Sequence, residues 1–153
     1  MALTSRPAAG KTGLSIRCLG RDATILGTPG NDRLVTRHAG DVVAGLGGND
    51  VIIATDPRAV LCGGAGDDSI RGVLTHKGYS RLVGGSGNDD LAAGEADYGS
   101  APRGILVDLA AGTVTGMGID VLRDVPSVAG TRFDDSFSSS ASDRGVVTFA
   151  GRE

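Results

Sequence analysis

The sequence predicts an all-β fold, a right-handed parallel β-roll, and three observations carry that prediction. A glycine-rich turn ending in aspartate recurs at Gly27-Thr-Pro-Gly30-Asn31-Asp32, Gly45-Leu-Gly47-Gly48-Asn49-Asp50, Gly63-Gly64-Ala-Gly66-Asp67-Asp68 and Gly84-Gly85-Ser-Gly87-Asn88-Asp89. Each turn is followed by a short strand signal: Arg33-Leu34-Val35, Val51-Ile52-Ile53, Ser69-Ile70-Arg71 and Asp90-Leu91-Ala92. Glycine makes up 26 of the 153 residues, roughly twice ordinary usage, and aromatics only 3%. Such a chain has few large side chains to bury and a high backbone entropy to overcome. Stacked identical turns, rather than a conventional core, must organise it.

The strands follow from a nine-residue frame whose eighth position is aliphatic throughout. Ile25, Leu34, Val43, Ile52, Leu61 and Ile70 obey it, as do Leu82 and Leu91 after a three-residue insertion. Complete and degenerate frames alternate. Frame 36–44 keeps Asp41 and Val43 but lacks the glycines; frame 54–62 keeps only its strand; unit 72–83 carries the insertion. If each circuit of the roll uses two frames, the turns at 27, 45, 63 and 84 stack on one edge and the degenerate turns on the other. Metal is expected on the first edge alone.

The remaining elements are less regular. Residues 1–17 read as a flexible leader without the apolar core of a signal peptide. The roll proper is expected over 18–92 and a degenerate solenoid continuation over 93–138, with strand signals at Gly104–Leu109, Ala111–Gly118 and Ile119–Arg123. Gly130-Thr-Arg-Phe-Asp134-Asp135 partly recovers the turn. Residues 139–153 read as a polar linker and tail, in which Val146–Phe149 either caps the last rung or hangs free.

The chemistry of the turns points to calcium. Like carboxylates one rung apart, at the ~4.8 Å spacing of strands, repel one another. A calcium ion, with oxygen bonds of ~2.3–2.6 Å, fits between two rungs and reverses that sign. Carboxylate and carbonyl donors favour it over zinc. Glycine at the first and fourth turn positions is expected to supply the positive φ that turns carbonyls inward.

These turns resemble the hemolysin-type (RTX) calcium-binding nonapeptide-repeat proteins, in particular short secreted actinobacterial forms. The resemblance is strong over 27–92 and weaker over 93–138. It implies that glycine carbonyls and the sixth-position aspartates of two stacked turns hold each ion. The residues in those places are Gly27, Gly30, Asp32, Gly45, Gly47, Asp50, Gly63, Gly64, Gly66, Asp68, Gly84, Gly85, Gly87 and Asp89. Four rungs imply about three Ca2+ ions, which would take the net charge from −3 to about +3. Asp120 and Asp135 are either further ligands or exposed turn carboxylates. Asp41, on the other edge, has no partner carboxylate. An exported chain with Cys18 and Cys62 invites a disulfide, and the resemblance supports one. In ideal register, however, the two lie on opposite edges beyond bonding distance unless the N-terminal segment folds back. The pairing stays open.

Other classes find little support. No basic run or basic-aromatic interleaving suggests nucleic acid. No stretch approaches the ~20 apolar residues of a membrane span. Gly10-Lys11-Thr12 lacks the upstream glycine and strand of a phosphate loop. Cys18, His38, Cys62 and His76 lack zinc spacing, and Ser80 beside His76 makes no catalytic arrangement. The expected role is calcium binding coupled to folding outside the cell, without catalysis. The alternatives are an adhesion or interaction module and a folding module of a larger secreted enzyme.

Overall fold

The computed structural model describes residues 15–138 and 146–148. These contain strands and no helix. In chain order the strands are β1 (Arg17–Cys18), β2 (Arg21–Asp22), β3 (Ile25–Leu26), β4 (Arg33–Val35), β5 (Val42–Gly47), β6 (Val51–Ile53), β7 (Val60–Ala65), β8 (Ser69–Arg71) and β9 (Leu74–Thr75). They continue with β10 (Gly78–Ser86), β11 (Asp90–Ala92), β12 (Gly94–Asp97), β13 (Leu106–Asp108), β14 (Thr113–Thr115), β15 (Ile119–Arg123), β16 (Ser127–Ala129), β17 (Ser136–Ser138) and β18 (Val146–Thr148).

The nine-residue frame sends successive strands alternately to two sheets. One sheet runs β18-β16-β12-β10-β7-β5-β3, and the other β17-β13-β14-β15-β11-β8-β6-β4. Parallel pairing aligns Ile25 with Val43, Val43 with Leu61 and Leu61 with Leu82 in the first sheet. Leu34, Ile52, Ile70 and Leu91 align in the second. These eighth-position side chains meet between the sheets, where Val43, Ile52, Leu61, Leu82 and Leu91 are wholly buried. At ~1.5–3 kcal/mol for each buried aliphatic side chain, they set the register of the roll. The fold is therefore the expected all-β parallel β-roll.

Three parts differ from the sequence expectation or complete it. First, residues 93–129 are not a simple continuation of the solenoid. Strands β12 and β16 extend the first sheet in parallel. In the second sheet β14 pairs antiparallel with both β13 and β15, and β15 lies against β11. The cause is connection length. Strand β14 is separated from its neighbours only by short glycine-containing turns, with Gly112 at φ 66° and Gly118 at φ 159°. Such connections cannot carry the chain around the roll, so it doubles back.

Second, the insertion in unit 72–83 forms a small antiparallel hairpin, β9 with the start of β10, on the degenerate edge. Third, Cys18 and Cys62 are joined, with Cα atoms 6.0 Å apart. The expectation that they lie on opposite edges assumed that residue 18 keeps the frame. It does not: β1 and β2 pair antiparallel. Their hairpin folds back over the outer face of the first sheet, where Cys18 is buried with Val42 and Val60.

Of the expected leader, 1–14 lie outside the described residues, as does Gly10-Lys11-Thr12, while Arg17 belongs to β1. Residues 139–145 and Phe149 also lie outside them; the backbone of β18 pairs with β16, so this segment extends the first sheet.

Candidate metal site

The four complete turns stack on one edge, and two ladders of hydrogen bonds hold them in register. Along the inner ladder each sixth-position amide donates to the aspartate of the next turn. Asp32 N donates to Asp50 Oδ1 (2.8 Å), Asp50 N to Asp68 Oδ1 (2.8 Å) and Asp68 N to Asp89 Oδ1 (2.9 Å). Along the outer ladder the fifth positions run the opposite way. Asn49 N donates to Asn31 Oδ1, Asp67 N to Asn49 Oδ1 and Asn88 N to Asp67 Oδ1. Sequence reasoning assigned the fifth position no role. Its repeated Asn/Asp identity is the signal that marks it: only a short side chain ending in oxygen reaches the amide one rung away.

One oxygen of each interior aspartate is thereby satisfied and the other is not. Asp50 Oδ2, Asp68 Oδ2 and Asp89 Oδ2 are buried and have no hydrogen-bond partner among the described residues. The side chains belong to residues only 1%, 3% and 1% exposed. None of them forms an ion pair among the described residues, whose salt bridges are Arg17–Asp22, Arg58–Asp56, Arg81–Asp97 and Arg123–Asp90. Burial pushes the Asp68 carboxyl up to about 6 and the Asp89 carboxyl up to about 7, with neighbouring carboxylates adding to the rise. Burial raises Asp50 as well. A buried carboxylate without a donor is costly unless it is neutralised or binds a cation.

The first-position glycines let backbone carbonyls approach these oxygens closely. A Cβ on Gly45 would lie 2.1 Å from Asp50 Oδ2 and 2.4 Å from the carbonyl oxygen of Gly63. A Cβ on Gly63 would lie 2.0 Å from Asp68 Oδ2 and 2.7 Å from the Gly84 carbonyl oxygen. Carboxylate and carbonyl oxygens from two adjacent turns thus lie near one another along the edge. Among the described residues no three His, Cys, Asp or Glu side chains converge. A cation held here would have to take the balance of its shell from carbonyls, which would suit a hard ion such as calcium.

Glycine serves two purposes in these turns, and the expected first-and-fourth rule holds at the fourth position of the last three turns but not at the first position. The first glycine does not have positive φ; it is required because a Cβ would strike the carboxylate. Positive φ falls on the second and fourth positions, at Gly64 and Gly66, Gly85 and Gly87, and Leu46 and Gly48. Gly48 is therefore the fourth-position residue of its turn, while Gly47, singled out from sequence, has ordinary space around a Cβ.

The first turn closes differently. Thr28 replaces the second-position glycine without positive φ, and its amide and hydroxyl both donate to Asp32 Oδ2, at 2.5 and 2.9 Å. Thr131 does the same for Asp135, through its amide to Oδ2 and its hydroxyl to Oδ1. Asp41 sits on the other edge, as expected. Burial acts to raise its pKa, but donors from Arg37 N, His38 N and the Thr24 hydroxyl outweigh that and hold it low. It is a loop cap. The degenerate edge also carries neutral hydrogen bonds, Thr36 with Thr55 and Ser80 with Val73 N and Asp56 O, beside the exposed Arg58–Asp56 pair.

Asp120 is not an exposed turn carboxylate. It is 4% exposed and accepts the Asp89 amide at 3.1 Å, so it stands next in the inner ladder. Its second oxygen accepts the Tyr98 hydroxyl at 2.7 Å.

The family model of the RTX calcium-binding nonapeptide repeat matches this chain in four copies, over residues 20–52, 60–72 and 76–97. Over those segments the chain carries RTX calcium-binding nonapeptide repeats, and the match ends before Tyr98 and Asp120. No curated protein and no solved structure gives a significant match.

Proposed function

We propose that this chain, an RTX calcium-binding repeat protein, binds about three Ca2+ ions along one edge of its roll and uses them to complete folding outside the cell. The observation that carries the reading is the row of buried aspartate oxygens at Asp50, Asp68 and Asp89 that meet no donor and no cationic side chain among the described residues. The ligands we assign are the carboxylates of Asp32, Asp50, Asp68 and Asp89 with backbone carbonyls of the glycine turns: Gly27, Gly30, Gly45, Gly47, Gly63, Gly64, Gly66, Gly84, Gly85 and Gly87. Between like carboxylates a divalent cation turns repulsion into attraction, so binding to the folded state becomes folding free energy.

One carboxylate per turn plus carbonyls makes a weakly charged cage. Its Kd is expected at ~10⁻⁴–10⁻³ M, matched to extracellular calcium. The Cys18–Cys62 disulfide supports an oxidising compartment. We assign binding rather than catalysis: the edge lines up carboxylate and carbonyl acceptor oxygens, and the buried Ser80 hydroxyl is engaged with Asp56 O. No helix among the described residues is long and apolar enough to cross a membrane.

A calcium titration of the chelator-treated chain, followed by far-UV circular dichroism, tests the reading. A cooperative gain of β signal near millimolar calcium is expected. A full β spectrum in excess chelator, unchanged by calcium, would refute it.

A further inference from the structure

The inner ladder does not stop where the repeats stop. Asp120 lies 31 residues beyond Asp89, yet its Oδ1 accepts the Asp89 amide just as Asp89 Oδ1 accepts the amide of Asp68. The following strands pair in the same register, Leu91 beside Leu122, as Ile70 pairs with Leu91. The fifth-position ladder continues too, with Ile119 N donating to Asn88 Oδ1 at 2.9 Å. The antiparallel excursion through β14 therefore delivers a fifth rung to the same edge.

The surroundings of this rung are distinct. Asp89 Oδ2 is buried without a partner, like the two before it. In the preceding turns the next first-position glycine brings a carbonyl oxygen close to that point. Two residues beyond the aligned pair Leu82–Ala96, it is Tyr98 that stands level with Gly84. Tyr98 is buried, and its hydroxyl donates to Asp120 Oδ2 at 2.7 Å. No Arg or Lys pairs with either Asp89 or Asp120 among the described residues.

We infer that Asp89 and Asp120 share a further calcium ion, with Asp120 as its closing carboxylate and the Tyr98 hydroxyl as the group that positions it. The last metal site then joins the repeat block to the hairpin of β14 and β15, and calcium orders both together. This rests on the calcium reading above.

The test uses the full chain with calcium alone as the probe. Bound ions are counted by equilibrium dialysis and calorimetry. The dependence of urea-unfolding free energy on calcium gives a second count, because its slope reports ions released. Asp120→Asn is expected to bind one ion fewer than the wild type in both measurements. Tyr98→Phe keeps the ring and is expected to split the isotherm, its last ion binding roughly 10-fold more weakly than the rest. A merely structural role would shift all ions together and leave the count intact. Asp135→Asn, at a turn closed by Thr131, serves as that structural benchmark. An unchanged count in Asp120→Asn overturns the inference. If Asp120→Asn does not fold at any calcium concentration, the Tyr98→Phe isotherm decides, and a single unsplit class of sites overturns it. A wild type that ignores calcium would instead refute the broader reading; a wild type and Asp50→Asn that respond as expected, with Asp120→Asn unaltered, refute only this one.

Discussion

At the scale of the residue, the aspartates are distinguished by what their second oxygen meets. The repeat alone ranks Asp50 and Asp68 as interior and Asp32 and Asp89 as terminal. The structure moves Asp89 into the interior, because Asp120 follows it, and leaves Asp32 with two donors from Thr28. Alanine at Asp50, Asp68 or Asp89 is therefore expected to raise the calcium midpoint of folding at least ~10-fold. Asp32→Ala should shift it about 5-fold, as for loss of a hydrogen bond worth about 1 kcal/mol. Asp41→Ala should destabilise the degenerate loop without changing the number of ions bound. Midpoints by circular dichroism and ion counts for the five variants check this order; an Asp89→Ala midpoint equal to that of Asp32→Ala would restore the sequence ranking. The glycines divide as sharply. Gly63→Ala places a Cβ against Asp68 Oδ2 and the Gly84 carbonyl, so loss of calcium-induced folding is expected. Gly47→Ala meets nothing nearer than 3.7 Å and should stay within about 0.5 kcal/mol of the wild type.

At the scale of the element, what the sequence made legible was whatever the period controls. The eighth-position aliphatics placed β3 to β8, β10 and β11 in two sheets, and the glycine-aspartate repeat placed the four complete turns on one edge. Two classes of feature escaped it. The first is contact between segments outside the frame: the β1–β2 hairpin over Val42 and Val60, and the delivery of Asp120 by β15. Neither has a periodic signal, since two short turns around β14 are enough to reverse the chain. The second is conformation within a turn. Thr28 and the glycines at the same position look interchangeable in sequence, yet they differ in φ and hence in where the amide points. The hairpin carries its own prediction. The Cys18–Cys62 bond closes a separation of 44 residues, for which chain entropy gives about 4 kcal/mol, and engineered cases often less. Replacing both cysteines by serine should lower urea stability in saturating calcium by ~2–4 kcal/mol and raise the calcium midpoint, with the ion count unchanged. A loss of bound ions in that variant would place the disulfide within the metal edge rather than behind it.

At the scale of the whole molecule, the row of buried carboxylates proposed to bind calcium would oppose folding when calcium is withheld, and protons could then stand in for the metal. In the fold Asp68 titrates at about 6 and Asp89 at about 7, both raised chiefly by burial, and Asp50 and Asp120 are raised as well. In an unfolded chain these groups return to about 3.9. Between those limits the folded state holds more protons than the unfolded one, so the stability of the metal-free fold falls as pH rises. The stabilising contribution of protonation is fully present below about pH 4 and is lost as pH climbs through 6 and 7. Calcium affinity runs the other way, because the ligand must be deprotonated. If the metal-free chain is largely disordered at pH 7.5, as proposed, it is expected to gain β structure as pH is lowered toward 5, while the calcium midpoint measured across the same range rises. Circular dichroism in chelator from pH 7.5 to 4.5, paired with calcium titrations at each pH, measures both trends. Asp68→Asn and Asp89→Asn, neutral at every pH, should flatten the first trend and separate it from general acid effects on the other carboxylates. A metal-free chain that loses rather than gains structure on acidification, with the asparagine variants behaving as the wild type, would show that the buried row does not govern folding.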